Sequence, residues 1–440
     1  MSDQPTAATS IENDAVPHPS FAEACATWAR IGLLSFGGPT GQIALMHRVI
    51  VDEKRWLDEP RFLNALNFCM LLPGPEAMQL VTYAGWRLHG VKGGLAAGLW
   101  FVLPGALVVL ALAMLYAAYG NLPLVDAVFL GVKAAVLVIV VEALLRISKR
   151  ALKERWHWWL AAAAFVAIFF LGAPFPLIVL AAAVLGFVLA RGSSGAALAL
   201  PSTTGVARTV AVWLAIWILP LAALGLVLGR GHVLSQIGWF FSKLAVVTFG
   251  GAYAVLAYMA QDVVGHYRWL SVGQMMDGLG LAETTPGPLI LVTEFVAYLA
   301  AFQSAGQGSA LLLGIAGAIV ALWATFAPCF LWIFAGAPYV EWLNAQPRLK
   351  GALSAITAAV VGVILNLAVW FAVHVLFANK VAETVAGPIK LLVPQWAAFD
   401  WRVLVMAVVS ALLLLVWHKG IASTLAVAAA MGLAAWAFGL

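Results

Sequence analysis

The chain has 440 residues, of which 64% are hydrophobic and 10% are charged, and its formal net charge at pH 7 is +5. A mean hydropathy of +0.98 excludes a soluble protein of this length, whose surface needs far more charge, and predicts a polytopic membrane protein. The positive charge does not indicate nucleic-acid binding, because most lysines and arginines fall in short loops, where they orient membrane segments.

In chain order, the sequence predicts a short tail, two groups of apolar segments and a linker between them. Residues 1–20 are polar and acidic and lack the features of a signal peptide, so we expect a disordered cytoplasmic tail. Residues 191–233 combine a Gly-, Ser- and Pro-containing linker with one connecting helix near 208–229. Within residues 21–190, apolar segments lie near 27–46, 59–88, 93–119, 122–146, 156–172 and 174–190. Within residues 234–440, they lie near 237–260, 270–302, 308–336, 350–377, 399–417 and 420–439.

Three motifs of the first group recur in the second group, all at one constant offset, which we call the motif offset. The recurring pairs are Phe36-Gly37-Gly38 with Phe249-Gly250-Gly251, Arg55-Trp56-Leu57 with Arg268-Trp269-Leu270, and Pro73-Gly74-Pro75 with Pro286-Gly287-Pro288. The sequence therefore predicts an all-α membrane protein with two homologous halves whose helices are broken at Pro-Gly-Pro. Interruptions at matching places in two halves are typical of secondary transporters, in which they form the substrate site near the bilayer midplane.

Charge placement predicts that the two halves are inverted repeats. The loop 146–155 carries five cations against one acid, so we expect it in the cytoplasm. The turn 87–92 is basic and its counterpart 301–308 is uncharged, whereas the turn near 120–123 is uncharged and its counterpart near 337–350 is basic. One crossing for each broken segment gives about 13 spans with the N-terminus inside. Re-entrant hairpins at 59–88 and 270–302 would lower that number, so the expected range is about 10–13 spans.

The two Pro-Gly-Pro triplets are the strongest candidates for a substrate site. Proline removes a backbone donor and glycine permits close approach, so each triplet is expected to split its helix. Freed backbone groups are tolerated in a membrane only inside protein or along a polar cavity, and the helix that follows directs its positive end at that cavity. The triplets therefore predict an oxyanion site, with a structural kink as the alternative.

The Phe-Gly-Gly motifs are predicted to lie within the first helix of each half. Gly37 and Gly38, with Gly250 and Gly251, suit two compatible roles, which are close helix packing and exposure of backbone amides to an anion.

Basic residues also follow the repeat. Arg30 matches Lys243, each six residues before its Phe-Gly-Gly motif, and Arg55 matches Arg268. Cations in or beside membrane segments are costly and usually face a polar interior, although loop arginines also serve as interfacial anchors. Lys133 is a further intramembrane candidate, with snorkelling or a pair with Glu142 as the alternatives.

Carboxylates near the breaks are candidates for proton coupling. Glu76, Gln79, Tyr83 and Arg87 follow the first triplet on one helical face, which predicts a polar pathway. The second half instead has Glu283, Thr284 and Thr285 before its triplet, Glu294 after it, and Asp277 opposite Asn64. A carboxylate beside an anion site repels the anion unless it is protonated, so Glu76, Asp277 and Glu283 suit coupling to protons. A structural pairing of Glu76 with Arg87 or another cation is the alternative.

No enzyme motif accompanies these features. The eight histidines show no HExxH spacing, Cys25, Cys69 and Cys329 show no metal or disulfide spacing, and the sequence contains neither a Walker loop nor a strand–GxGxxG–helix context. We therefore expect no catalytic residue, no metal and no cofactor.

Two runs of the sequence resemble a known family. The run LSFGGPTGQIALMHRVIVDEKRWLDEPRFLNALNFCMLLPGPEAMQLVTYAGWRLHG is similar to the N-terminal signature of the long-chain, two-domain chromate ion transporters. The run TFGGAYAVLAYMAQDVVGHYRWLSVGQMMDGLGLAETTPGPL is similar to the second-domain version. The resemblance implies functional constraint on Phe36-Gly37-Gly38-Pro39, Gln42, Arg55-Trp56, Gln79, Phe249-Gly250-Gly251 and both Pro-Gly-Pro triplets. It also implies chromate efflux across the bacterial inner membrane, driven by the proton-motive force, with sulfate as a close analogue.

The resulting hypothesis is alternating access around a central dianion site, with Arg30 and Lys243 drawing the anion in. The expected partners are chromate or sulfate, protons and the lipid bilayer, and a homo-oligomer is left open. The alternatives are a sulfate or other oxyanion carrier, including an importer, an anion channel, and a membrane chromate reductase, which lacks flavin, haem and iron–sulfur signatures.

Overall fold

The backbone is helical over nearly all residues that the computed structural model describes, which are 18–36, 38–120, 122–190, 203–249, 251–306, 308–344, 346–378, 380–387 and 389–439. Most of the predicted tail, and the linker up to residue 202, lie outside these ranges. The first helices are α1 Phe21–Leu34, α2 Gly38–His47, α3 Glu59–Leu71, α4 Glu76–Tyr119, α5 Pro123–Ala151, α6 Arg155–Phe169 and α7 Phe175–Leu189. The remaining helices are α8 Thr203–Val227, α9 Val233–Val247, α10 Ala252–Gln261, α11 Val272–Thr284, α12 Val292–Gln303, α13 Ala310–Gly336, α14 Val340–Asn344, α15 Pro347–Leu376, α16 Trp401–Ala411 and α17 Ile421–Ala437.

The lengths and composition of these helices confirm an α-helical, multi-pass membrane protein. Within the described residues, five helices are long and apolar enough to cross a membrane, namely Glu76–Tyr119, Pro123–Ala151, Gly205–Val227, Ala310–Leu343 and Pro347–Leu376. Shorter apolar helices span Phe175–Leu189, Val233–Val247, Leu289–Gln303, Trp401–Val416 and Ile421–Ala437. One predicted boundary is wrong, because α5 continues to Ala151 and includes Arg146, which was expected in a loop. Cations in the last turns of a helix are stabilised by its negative end, so the basic run does not end α5.

Both Pro-Gly-Pro triplets interrupt their helices, as predicted. Helix α3 ends before the first triplet and α4 begins after it, while α11 and α12 flank the second triplet, with a 3₁₀ turn Leu289–Leu291 in between. The two arms of each break lie side by side. The Phe68 and Tyr83 rings are 6.2 Å apart, and a Cβ built on Gly278 would lie 2.4 Å from Phe295. This arrangement matches the re-entrant alternative, and we call these segments the Pro-Gly-Pro hairpins.

Helix α4 itself reverses direction where the second arm of the first hairpin ends. His89 leaves the helical region, and Gly90 has φ 61° and ψ −152°, a conformation that is open to glycine alone. Beyond this turn the chain packs back on itself, because a Cβ on Gly85 would lie 2.4 Å from the Gly93 carbonyl oxygen and a Cβ on Gly93 would lie 2.2 Å from the Gly85 oxygen. Small residues thus let the two parts of α4 approach at backbone distance.

The prediction that each Phe-Gly-Gly motif lies within a helix is wrong. Helix α1 ends at Leu34 and α2 begins at Gly38, while α9 ends at Val247 and α10 begins at Ala252. Gly38 has φ 72° and Gly251 has φ 97°, left-handed conformations that a right-handed helix cannot continue through. The middle glycine of each motif, Gly37 or Gly250, lies outside the described residues.

The chain also folds back at these motifs, forming what we call the Phe-Gly-Gly hairpins. In the first half, Lys54 Nζ and Glu23 Oε1 are 2.8 Å apart, which joins the residue after the π-helical turn Arg48–Glu53 to the start of α1. In the second half, the Phe240 ring of α9 lies 5.2 Å from the Tyr267 ring, which follows the π-helical turn Asp262–His266.

The two groups of helices interlock through their later members. A Cβ built on Gly186 of α7 would lie 2.3 Å from the Gly351 oxygen of α15. A Cβ built on Gly432 of α17 would lie 2.1 Å from the Ala127 oxygen of α5. The offset from Ala127 to Gly351 equals the offset from Pro104 to Pro328, which we call the later offset, so α5 and α15 correspond. Each half therefore completes the packing of the other half.

A β-hairpin between α15 and α16 departs from the helical pattern. Strands β1 Val381–Ala386 and β2 Ile389–Pro394 pair antiparallel. The Lys390 amide donates a 2.7 Å hydrogen bond to the Phe170 carbonyl at the end of α6, which ties this hairpin to the α6–α7 loop.

Candidate functional site

The tips of the two Pro-Gly-Pro hairpins and the two Phe-Gly-Gly hairpins meet in crosswise pairs. The Gly287 amide donates to the Ser35 carbonyl at 2.9 Å, and the Gly74 amide donates to the Thr248 carbonyl at 3.0 Å. We call these contacts the first junction (Ser35 with Gly287) and the second junction (Thr248 with Gly74). The motif offset relates Ser35 to Thr248 and Gly74 to Gly287, so the two junctions correspond. Each Phe-Gly-Gly tip thus contacts the Pro-Gly-Pro tip of the other half.

Two buried glutamines bind the carbonyl groups that these breaks release. Gln42 Nε2 donates to the Gly287 oxygen at 2.6 Å and to the Ser35 oxygen at 3.4 Å, so its amide spans the first junction. Gln79 Nε2 donates to the Pro73 oxygen at 2.7 Å. An unpaired carbonyl in a membrane interior is costly, so each glutamine stabilises one broken segment. Neither glutamine has a polar counterpart, because the motif offset relates them to Val255 and Val292.

The glycine of each triplet is required by its conformation. Gly74 has φ 119° and Gly287 has φ 91°. Residues other than glycine rarely adopt these backbone conformations, because a Cβ would clash with the backbone. Space is also restricted at the first triplet, where a Cβ on Gly74 would lie 2.8 Å from Gln79 Nε2. The triplet residues are therefore part of the junctions, and nothing in the sequence indicated their partners.

The first junction borders a cavity of about 490 Å³. We call it the first-junction cavity, and its lining includes Phe36, Glu142, Arg146, Glu283, Thr284, His418 and Lys419. A small cavity of about 10 Å³ touches the second junction and is lined mostly by apolar side chains, together with Gly74, Pro75, Thr248 and Thr325. The two junctions thus share backbone contacts and differ in access and charge.

The carboxylates of the first-junction cavity are held in two different ways. Arg146 donates to Glu142 Oε1 one turn earlier on α5 through two guanidinium nitrogens, with Nε at 3.1 Å. Glu283 is 8% exposed, and its Oε1 accepts a 2.7 Å hydrogen bond from the Tyr253 hydroxyl. Its Oε2 is buried and has no hydrogen-bond partner among the described residues. An unsatisfied buried carboxylate oxygen beside a cavity is a candidate contact for a proton or a ligand.

Asp277 belongs to a separate buried cluster. Its Oδ1 lies 3.4 Å from Lys133 Nζ, and its Oδ2 accepts a 2.7 Å hydrogen bond from the Tyr116 hydroxyl. The alternative that Lys133 pairs with Glu142 is wrong, because Glu142 is bound by Arg146. Asp277 does not line the first-junction cavity.

The matched basic residues have other groups as their observed contacts. Arg30 is half-exposed and forms a 3.1 Å ion pair with Glu53, and the Lys243 ammonium lies 5.4 Å from the centre of the Tyr258 ring. Arg55 and Arg268 are exposed and adopt left-handed conformations, with φ 51° and 53°, just after their π-helical turns. These exposed turns suit the interfacial role that the sequence left open.

The polar residues predicted to share one face of α4 lie in two different environments. Gln79 binds its own break, whereas Tyr83 and Arg87 line a second cavity of about 300 Å³ that also includes Arg61, Asn64 and Glu341. Glu76 is partly buried, and among the described residues no side chain forms a hydrogen bond or ion pair with it, so the alternative pairing with Arg87 does not occur.

Sequence reasoning missed the place of Arg146 and Glu142 in the lining of the first-junction cavity, and the contact of Tyr253 with Glu283. Glu142 and Arg146 have the four-residue spacing that brings side chains together on a helix, which was a usable signal. Tyr253 gave no signal, since its contact with Glu283 depends on how two hairpins pack.

Comparison with known proteins gives consistent matches along the chain. The family described as Chromate transporter matches residues 22–187 and 235–436. A chromate transport protein of Pseudomonas aeruginosa is 35% identical over 365 residues, which cover 82% of this chain and 83% of that protein. A chromate transport protein of Cupriavidus metallidurans is 32% identical, covering 76% of this chain and 78% of that protein. An uncharacterised transporter of Methanocaldococcus jannaschii is 25% identical, covering 81% and 86%. No solved structure matches the chain.

Proposed function

Because the chain belongs to the chromate transporter family, we propose that it is a secondary active transporter that exports chromate across the bacterial inner membrane. Export is driven by the proton-motive force and proceeds by alternating access. The substrate is a tetrahedral dianion, which suits the amide-rich starts of broken helices together with a nearby cation.

The observation that carries this proposal is the contrast between the two crosswise junctions. Their backbone contacts correspond, yet a charged cavity of about 490 Å³ lies beside the first junction, whereas the cavity lined by Gly74 and Thr248 of the second junction has only about 10 Å³. In a transporter with two related halves, exchanging the conformations of the halves closes one access route and opens the other. The contrast supports a carrier with one side open at a time.

Charge placement supports an N-terminus and a first-junction cavity that face the cytoplasm. The basic turn 87–92 and the basic residues around the end of α5 have no equally basic counterparts in the other half. Arg146 lies both in this basic region and in the lining of the first-junction cavity. An exporter loads its cargo from the cytoplasm, so this orientation represents the loading state.

Among the coupling candidates, Glu283 has the geometry that the proposal requires. It lines the first-junction cavity, while Asp277 is neutralised by Lys133 and Glu76 does not line that cavity. A proton on Glu283 removes a negative charge from the route of a dianion, which links proton binding to chromate binding. Export of the anion together with this proton carries net negative charge outward, so the membrane potential is the component of the proton-motive force that drives it.

Energised uptake into everted membrane vesicles tests the proposal. Vesicles containing the protein are expected to accumulate chromate when respiration acidifies the lumen, and an uncoupler is expected to abolish accumulation. Vesicles without the protein are the control. Equilibration without accumulation would indicate a channel. Stronger transport of sulfate than of chromate would indicate the alternative oxyanion carrier, and accumulation only in right-side-out vesicles would indicate an importer.

A further inference from the structure

We propose that Arg146 is the cation that binds the oxyanion in the first-junction cavity, exchanging Glu142 for the anion, and that Glu283 must carry a proton for the anion to bind. This inference rests on the proposed function, because it assigns residues to the same cargo and the same access route. It assigns Arg146 as the anion-binding residue and Glu142 as the partner that the anion replaces, roles that the repeated motifs do not indicate.

The repeat provides an internal control for this assignment. At the later offset, the positions equivalent to Glu142 and Arg146 are Asn366 and Trp370. At the motif offset, the position equivalent to Glu283 is Met70. The second junction is therefore built from corresponding segments that carry no charge at these positions. Because the architecture does not require these charged groups, their presence at the open junction points to the ligand.

Arg146 is suited to an exchange of partners. Within the described residues, its guanidinium is bound by one carboxylate, Glu142, one helical turn away, and its side chain is 38% exposed while it lines the cavity. Ion pairs between partly exposed groups are weak, so Glu142 can be replaced at small cost. A guanidinium presents parallel N–H groups that match two oxygens of a tetrahedral dianion. Lys133 is not equivalent, because it is held by Asp277 outside this cavity.

Glu283 decides the charge of the first-junction cavity. The other titratable groups in the cavity lining are the cations Arg146 from α5 and Lys419 from the loop before α17, the imidazole of His418, and the carboxylate of Glu142. Two cations then balance two carboxylates, and a dianion meets no net attraction. Protonation of Glu283 leaves one net positive charge. The protonated carboxyl also gains an O–H donor, while the Tyr253 hydroxyl keeps its hydrogen bond to Oε1.

The test measures chromate and sulfate binding to the purified full-length protein by titration calorimetry between pH 5.5 and pH 8. Wild-type affinity is expected to fall as the pH rises. R146Q is expected to bind at least tenfold more weakly, and R146K is expected to lie in between, because it keeps the charge and loses the paired donors. E283Q is expected to bind with little pH dependence. R208Q, which removes an exposed arginine outside the cavity, is the matched control and is expected to bind like wild type.

Thermal melting and size-exclusion profiles show whether each variant folds. R146Q that folds and binds within twofold of wild type would overturn the assignment of Arg146. E283Q that keeps the wild-type pH dependence would overturn the role of the Glu283 proton. Failure of the proposed function looks different. In that case wild type would not accumulate chromate in vesicles, while binding of another oxyanion such as sulfate would still depend on Arg146.

Discussion

The amide of Gly287 donates a 2.9 Å hydrogen bond to the carbonyl of Ser35, so a Pro-Gly-Pro tip of the second half closes on a Phe-Gly-Gly tip of the first half. The corresponding bond between Gly74 and Thr248 makes the arrangement reciprocal. Hydrogen bonds between short re-entrant tips can be exchanged without unfolding a long helix. The junctions are therefore suitable places for a conformational change, and the following predictions address them and their supports.

Alanine at the triplet glycines is expected to destabilise the protein and to abolish transport. Gly74 and Gly287 have φ 119° and 91°, so a Cβ introduces backbone strain on the order of 1–3 kcal/mol at either position. Thermal melting in nanodiscs and chromate uptake check this. G225A, in α8 where a Cβ has open space, is the matched control and is expected to behave like wild type. Triplet variants with wild-type stability and transport would contradict the assigned conformations.

Leucine at either junction glutamine is expected to cost roughly 1–3 kcal/mol, because it leaves a buried carbonyl without a donor. Q42L removes the bonds to Gly287 and Ser35, so it should also alter the first junction, whereas Q79L acts on Pro73. The stability of each variant is measured by thermal melting. Q236L is the control, since Gln236 makes one exposed bond to Gly231. An equally small loss of stability in Q42L, Q79L and Q236L would argue against the proposal that Gln42 and Gln79 stabilise the broken segments.

Lys133 and Asp277 are expected to behave as a coupled pair. K133M leaves the Asp277 carboxylate buried without its cation, which is expected to cost roughly 3–5 kcal/mol. The double variant K133M/D277N removes both charges and reproduces the residue found at the equivalent position, Asn64. It is expected to recover most of the lost stability. A double variant that melts as low as K133M would show that the two residues act independently.

Large side chains in place of Gly186 or Gly432 are expected to weaken the packing between the two halves. In G432L the side chain would meet the Ala127 carbonyl of α5, and in G186L it would meet the Gly351 carbonyl of α15. Overpacking of this kind costs about 1–3 kcal/mol or more, so both variants should melt lower and yield less folded protein. G225L is the control, because that position has open space. Normal folding of both variants would contradict the interlocked packing.

The sequence predicts those features that depend on local chemistry. Each Pro-Gly-Pro triplet places two prolines around one glycine, so the interruptions at Pro73 and Pro286 follow from the sequence, whereas the single pair Pro104-Gly105 stays inside α4. The Phe-Gly-Gly breaks were missed because glycine pairs are common inside membrane helices, and only the positive φ of Gly38 and Gly251 separates the two cases. The extent of α5 was underestimated because a basic run was read as a loop.

Contacts between distant segments were beyond sequence reasoning. No local pattern indicates that Gly287 meets Ser35, or that Tyr253 meets Glu283, because these contacts depend on the relative position of four hairpins. The same limit applies to Arg30 and Lys243. Their matched positions predict a shared role in drawing in the anion, but they do not indicate that Arg30 pairs with Glu53 or that Lys243 lies against the Tyr258 ring.

The most direct test of alternating access is thiol labelling at the two junctions. Single cysteines replace Thr284, which lines the first-junction cavity, or Thr325, which is buried at the second junction, in a background without Cys25, Cys69 and Cys329. An impermeant maleimide is applied to each side of vesicles that transport chromate. We expect T284C to react from the cytoplasmic side at rest and T325C to be protected. A proton gradient together with chromate should slow the reaction of T284C with the maleimide and make T325C react from the opposite side. Simultaneous reaction at both positions, or rates that the gradient and chromate leave unchanged, would contradict the account.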